Sequence, residues 1–181
     1  MNVLMVGPHK NYGGGMSTVI NNYYEYGLDM KVNLYYIATA VKTNIVFKLI
    51  YAVLAILKLF IFLFVKKIDV IHIHMASRGS FYRKKIIIDM CKLFKKKIIL
   101  HIHSGEFYVF YEKESNKKQK KIIRDTLDKV DKIIVLSVSW EKNIKKITHT
   151  SMSVLFNATF VPNINCYNND RDNILFIGNI G

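Results

Sequence analysis

An α/β fold built on a doubly wound, Rossmann-like parallel sheet is what this sequence predicts, and three observations predict it. Apolar runs alternate with helical stretches along the chain, the pattern of βαβ units. Runs such as VLMV at 3–6 and IIL at 98–100 are near-continuous Val, Ile, Leu and Met, as strands buried on both faces require. Two runs, in IDVIHIHMASRGSFYRKK at 68–85 and KIILHIHSGEFYVFYEK at 97–113, end in His-x-His and then open into a polar loop.

The elements follow in order. Asn2–Val6 is a strand, stopped by the glycine- and proline-bearing turn GPHKNYGGG. A helix is expected from Gly15 or Met16 to about Tyr26, and a strand over Lys31–Ile37 with its aromatic and β-branched residues. Asp69–Ile73 is the third strand, and Ser80–Phe94 a helix with apolar residues at helical spacing. Ile98–Ile102 is the fourth strand, residues 104–111 an aromatic-rich loop, and Glu112–Lys129 a charged helix. Asp131–Leu136, a helix from about Ser139 to Lys146, and a strand over Ser153–Phe156 complete the series.

The stretch NIVFKLIYAVLAILKLFIFLFV at 44–65 is long enough to span a bilayer, which takes about 20 apolar residues. Lys48 and Lys58 interrupt it, and a lysine near the bilayer centre costs about 2.5–3.5 kcal/mol. A helix packed on the sheet with one face on a membrane fits better. An ordinary buried helix and a true span remain the alternatives.

The chain has 181 residues, 51% of them hydrophobic, enough for one domain with a core and the start of a second. Two distant cysteines, Cys91 and Cys166, exclude a disulfide framework and fit a reducing cytosol. The start reads as a strand rather than a cleavable signal peptide. The net charge of +14, from lysine clusters such as 95–97 and 117–121, favours anionic partners. No nucleic-acid module is present, so an anionic membrane surface is the expected partner and nucleic acid is not.

Candidate site residues gather at the strand ends, where open α/β sheets bind ligands. Residues two apart on a strand share a face, so His72 pairs with His74 and His101 with His103. A metal site usually needs three protein ligands, and Glu106 is the one acid nearby, so no metal is expected. His72, His74 and His101 read as structural, whereas His103, last on its strand, is the candidate for substrate contact. Gly13–Gly15 open a helix whose N–H groups can meet an anion. The dinucleotide and P-loop patterns are both absent, so no cofactor is implied. Arg78, Arg83 and Lys84 sit where cations oppose the helix dipole, a cost that gripping a phosphate offsets. Phe107, Tyr108, Phe110 and Tyr111 either line a sugar or lipid groove or fold back on the core.

Together MNVLMVGPHKNYGGGMSTVINNYY, the two His-x-His regions, VDKIIVLSVSWEKNIKKI, VLFNATFVP and ILFIGNIG resemble, in order and spacing, the N-terminal half of a GT-B-fold glycosyltransferase of the large retaining family 4. The likeness is strongest to members that assemble bacterial polysaccharides. It implies an N-terminal Rossmann-like, acceptor-side domain at 1–162, a linker at 163–172, and at 173–181 the first strand of a donor-binding lobe whose remainder lies beyond this sequence. It implies a nucleotide-sugar donor and a glycan or lipid-linked acceptor. Gly14 and Gly15 would approach the donor diphosphate, and His103 the donor sugar as the catalytic-site histidine. Arg78, Arg83, Lys84, Glu106 and Tyr108 would hold the acceptor. The enzyme would work in the cytoplasm, peripheral to the cell membrane through 44–65 and the basic clusters. Three features depart from the family: Asn179 replaces a frequent arginine, Asn157-Ala158-Thr159-Phe160 replaces the usual Asn-Gly-Val-Asp turn, and the family's phosphate-binding lysine and paired glutamates belong to the second lobe. The 181-residue chain is therefore expected to be inactive alone. A basic membrane-binding domain without catalysis is the alternative from another class, and a histidine-based metal-dependent hydrolase a third.

Overall fold

A computed structural model of the protein describes residues 1–158. The expected linker at 163–172, the strand at 173–181, and Thr159 and Phe160 of the 157–160 turn lie outside the described residues. Six strands, β1 (Asn2–Gly7), β2 (Asn33–Ala38), β3 (Val70–Met75), β4 (Lys97–Ile102), β5 (Lys132–Val135) and β6 (Met152–Val154), form one all-parallel sheet in the order β2-β1-β3-β4-β5-β6. The fold is therefore the predicted α/β doubly wound sheet. Between the strands lie α1 (Gly15–Glu25), a single turn α2 (Leu28–Lys31), α3 (Ile45–Val65), α4 (Gly79–Leu93), α6 (Lys117–Asp128) and α7 (Val138–Ile144).

Strand parity assigns the faces. Leu4, Val6, Ile71, Ile73, Met75, Ile98, Leu100, Ile102, Ile133 and Val135 point to one side and form a single core with Leu59 and Leu63 of α3, Phe81 and Ile88 of α4, and Ile123 and Leu127 of α6. Each fully buried aliphatic side chain there contributes about 1.5–3 kcal/mol. On the other side Met5, His72, His74 and His101 lie beneath Ile20 and Tyr23 of α1.

Two expectations need correction. Residues 104–111 are not a loop: Phe107–Val109 (α5) is a helical turn that runs into a π-helical turn at Phe110–Glu114. Burial of Phe107, Phe110 and Tyr111 drives this, which removes all three from any groove. The charged helix consequently starts at Lys117 rather than Glu112. Asn116 caps it, accepting from the Gln119 N–H while the Gln119 side chain accepts from the Asn116 N–H, a reciprocal capping box. The second strand starts late as well, because Gly27, at φ 73°, turns the chain into α2 first.

α3 covers the sheet edge through one stripe, Ala55, Leu59 and Leu63, at helical spacing. Asn44 caps its start by accepting from the Phe47 N–H at 3.1 Å. The helix is long and apolar enough to cross a membrane, and only 17% of that span is buried, unlike an ordinary core helix. Leu49, Val53, Leu57, Ile61 and Phe64 all face outward.

Candidate active site

Sheet order changes direction at β1, which β2 and β3 flank, so the ligand crevice of this fold class lies outside the carboxyl ends of β1 and β3. β1 ends in Gly7, where a Cβ would stand 2.5 Å from Ile20 Cδ1 and 2.9 Å from Tyr36 Oη, so any larger residue must displace the tips of both side chains. Gly13 and Gly14 have φ of 85° and 82°, a region open to glycine at little cost. Among the described residues no atom lies within 4 Å of a Cβ built on Gly13, Gly14 or Gly15, so the bend borders open space there. Among the described residues no side chain caps α1, so its first N–H groups are open to an anion.

The four histidines form one cluster. Pairing of β3 with β4 sets His74 opposite His101. The His72 and His101 rings stack at 5.5 Å between centroids, and His101 and His103 approach to 4.1 Å. His74 Nδ1 and His103 Nε2 share a hydrogen bond of 2.8 Å. Tyr23 meets His72 and His74 edge-on from above. His72, His74 and His101 are buried, and among the described residues four of their nitrogens have no hydrogen-bond partner: His72 Nε2, His74 Nε2, and both of His101. Burial holds every imidazole neutral. It pushes His72 down to about 4 and His101 to about 2, and His74 lies well below 6.5, with neighbouring imidazoles adding to the effect on the last two. His103 is pushed down to about 4, by burial first and His72 second, although it is only half-buried. It is thus the member that reaches the rim, as a neutral group that hydrogen-bonds without carrying charge.

The basic run 78–84 does not form one anion clamp. Arg78, at φ 56°, is the strained residue before α4. Its guanidinium donates to Glu106 at 2.5 Å and, in a two-pronged contact, to Glu114 at 2.6 and 2.8 Å. Two carboxylates therefore satisfy Arg78, and Glu106 serves it rather than standing free. Lys84, expected to grip a phosphate, is instead buried at 3% exposure, its Nζ bonded to Thr39 Oγ1. Thr39 Oγ1 donates in turn to the Gly7 carbonyl at 3.0 Å, so this chain ties α4 to the ends of β1 and β2. Burial, with Arg83 beside it, pushes the Lys84 ammonium down to about 7. Arg83 is exposed, one end of its guanidinium over the first turn of α4 at Gly79. Tyr108 is half-buried, with Lys146, from the turn after α7, over its ring at 5.1 Å. The loops after β3 and β4 are joined by the Ser77–Ser104 hydroxyl contact at 3.1 Å and by the His103 N–H donating to the Met75 carbonyl at 2.8 Å.

Sequence reasoning missed Tyr23, Thr39 and Glu114. The position of Thr39 just past β2 was a usable signal. The others depend on helix rotation and on the π-turn.

A cavity of about 250 Å³ runs beneath α1 to His101, walled by Tyr23, Tyr26 and residues 155–158. Asn22 Nδ2 donates to the Ala158 carbonyl at 2.8 Å and closes that wall. One ring nitrogen from each of His72, His74 and His101 lies within 4.8 Å of the other two. Three neutral imidazoles, one oriented through its second nitrogen by His103, fit a borderline cation such as Zn²⁺ in number and chemistry. The rim above can do something different: hydrogen-bond a polar substrate with a neutral imidazole, and meet an anion with helix N–H groups. The chain matches no protein-family profile, and no curated protein matches it either.

Proposed function

We propose that this chain forms the acceptor-side lobe of a retaining glycosyltransferase that moves a sugar from a nucleotide diphosphate donor to a glycan or lipid-linked acceptor in surface polysaccharide synthesis. The observation that carries this reading is the convergence, at the carboxyl edge of β1, β3 and β4, of an open glycine bend, an uncapped helix start and a rim imidazole held neutral. The resemblance of the whole sequence to the family supports it.

In this reading the departing nucleotide diphosphate gains negative charge as the glycosidic bond breaks. The free N–H groups at the start of α1, reached over Gly14 and Gly15, stabilise that charge because they are oriented before the reaction begins. His103 hydrogen-bonds the sugar, and the His74 contact fixes its ring. Retention needs no nucleophile from this lobe: the leaving phosphate accepts the acceptor's proton on the face of attack. Neither metal nor cofactor takes part. The outward apolar face of α3 and the surplus of cations hold the enzyme to the cytoplasmic face of the membrane.

The test uses the polypeptide that the whole gene encodes, a panel of nucleotide sugars and a membrane extract as acceptor. Nucleoside diphosphate release is expected with one donor and is expected to survive EDTA. His103→Ala should lower kcat/KM by about 10²-fold, the loss typical of one preorganised contact. Unchanged turnover removes His103 from the site, and no release with any donor overturns the reaction class.

The imidazole trio favours a second reading, a metal-dependent hydrolase on His72, His74 and His101. Stoichiometric Co²⁺ uptake with a tetrahedral absorption band, lost in His101→Asn, would support it.

A further inference from the structure

Between α3 and α4 runs a groove of about 590 Å³, within the range of small-molecule sites. Its walls are apolar: Leu49, Ala52, Val53 and Ile56 from α3, Ile86 and Ile87 from α4. Its other lining residues are Thr39, Lys48 and Arg83, from the end of β2 and the starts of the two helices. Those three also bound a second, more polar cavity of about 140 Å³ with Tyr12, Ala40 and Val41. Tyr12 belongs to the glycine bend, so the cationic end of the groove opens at the carboxyl edge of the sheet, beside the candidate active site.

Charge and polarity identify the occupant. Among the described residues neither Lys48 nor Arg83 has a carboxylate partner, which is common in so basic a chain; what sets these two apart is that both line the same end of one apolar groove. Two unpaired cations heading an apolar trough match an amphipathic anion. An uncharged apolar molecule makes no use of the cations, and a free inorganic anion makes no use of the trough. A second copy of the chain would bring another net charge of +14 against the first. The groove opens on the surface where α3 exposes Leu49, Val53 and Leu57, so a hydrocarbon chain can pass from a bilayer into it without crossing water.

We propose that this groove holds the hydrocarbon chain of a phosphate-bearing membrane lipid, with the phosphate between Lys48 and Arg83. The binding stands on the groove alone; its role, as the anchor of a lipid-linked acceptor, rests on the glycosyltransferase reading above. Arg83 then keeps the anion-binding role expected of it, whereas the buried Lys84 and the carboxylate-bound Arg78 do not. Lys48, not singled out for a ligand by the sequence, supplies the second cation.

Farnesyl phosphate, titrated into the 181-residue chain by calorimetry, tests the proposal. Saturable one-to-one binding is expected, with farnesol and inorganic phosphate each at least about tenfold weaker because each lacks one half of the ligand. Lys48→Glu and Arg83→Glu, both at the surface, should each weaken binding about tenfold or more and flatten its salt dependence. Val53→Trp, which fills the trough from an exposed position, should abolish it. Equal affinity for farnesol and farnesyl phosphate, or variants that bind like the parent, overturns the proposal. So does a dimer in light scattering that Val53→Trp dissociates, since a second copy would then be the occupant. If the lipid binds but no nucleotide sugar is consumed by the full gene product, the groove stands and the enzymatic reading falls. Sugar transfer to a lipid-free acceptor without farnesyl phosphate binding gives the reverse.

Discussion

Lys84→Met should stabilise the protein near neutral pH and abolish a pH dependence that this lysine imposes. Lys84 Nζ lies in the interior against Thr39, and burial pushes its ammonium down to about 7 from 10.5. Between those values the unfolded chain carries the proton and the folded chain does not. Unfolding therefore takes up a proton, and stability rises with pH across the window by about 1.4 kcal/mol per unit. Below it both states are charged and the folded one carries the full desolvation penalty; above about 10.5 the penalty is gone. Allowing for partial titration near neutrality, the gain from pH 7 to pH 9 is about 2 kcal/mol. Methionine matches lysine in length, and Thr39 keeps its bond to the Gly7 carbonyl. The variant should therefore be more stable at pH 7 by about 1–4 kcal/mol, the range seen when buried charge is replaced by apolar groups. The pH range is chosen to isolate this group. The clustered histidines contribute mainly below pH 7, and Cys91, which burial pushes up to about 12, begins to contribute only as pH approaches 9; both are common to parent and variant and cancel in the comparison. Urea unfolding at pH 7, 8 and 9 reads the effect as the midpoint, at constant m. Parallel profiles for parent and variant would refute the reasoning, and so would a variant less stable at pH 7.

Histidine Cε1–H resonances should show His72, His74, His101 and His103 neutral from pH 8 down to 5.5. Because their folded values are depressed below 6.5, stability should fall as pH drops through about 6.5 towards about 4, as the unfolded chain takes up protons first. Gly105→Ala would drive a Cβ to 2.8 Å from Trp140 Cζ2, and since Trp140 is the chain's one tryptophan, a shift in its fluorescence emission should report the displacement directly. Gly7→Val should cost about 1–3 kcal/mol in thermal or urea unfolding through overpacking against Ile20 and Tyr36. Leu57→Glu together with Ile61→Glu, both on the outward face of α3, should abolish co-flotation with anionic vesicles while leaving far-UV circular dichroism unchanged.

The sheet was legible because buried parallel strands leave a local mark. VLMV, IIL and IIV must be apolar on both faces, so the runs announce themselves without any knowledge of their neighbours. The shared face of His72 with His74, and of His101 with His103, follows from strand pleat alone. That all four meet is a matter of register, and only the pairing of His74 with His101 brings the two pairs together. Residues 104–111 were misjudged because a cluster of aromatics carries no periodicity of its own; the core that receives Phe107 and Phe110 makes the segment helical.

Charge was the least legible property. Arg78, Arg83 and Lys84 look alike in sequence, a basic run at a helix start. Packing separates them into a cation held by Glu106 and Glu114, a cation with no carboxylate partner among the described residues at the mouth of a groove, and an ammonium buried against Thr39. Residue order alone determined the alternation of strand and helix, the ends at which chemistry could sit, and the apolar length of α3, because each depends on neighbours a few positions away. Which imidazoles touch, which cations stay unpaired and which face of α3 turns outward were decided by contacts between residues 28 to 45 positions apart or more, whose electrostatic consequences exist only once water has been excluded around them.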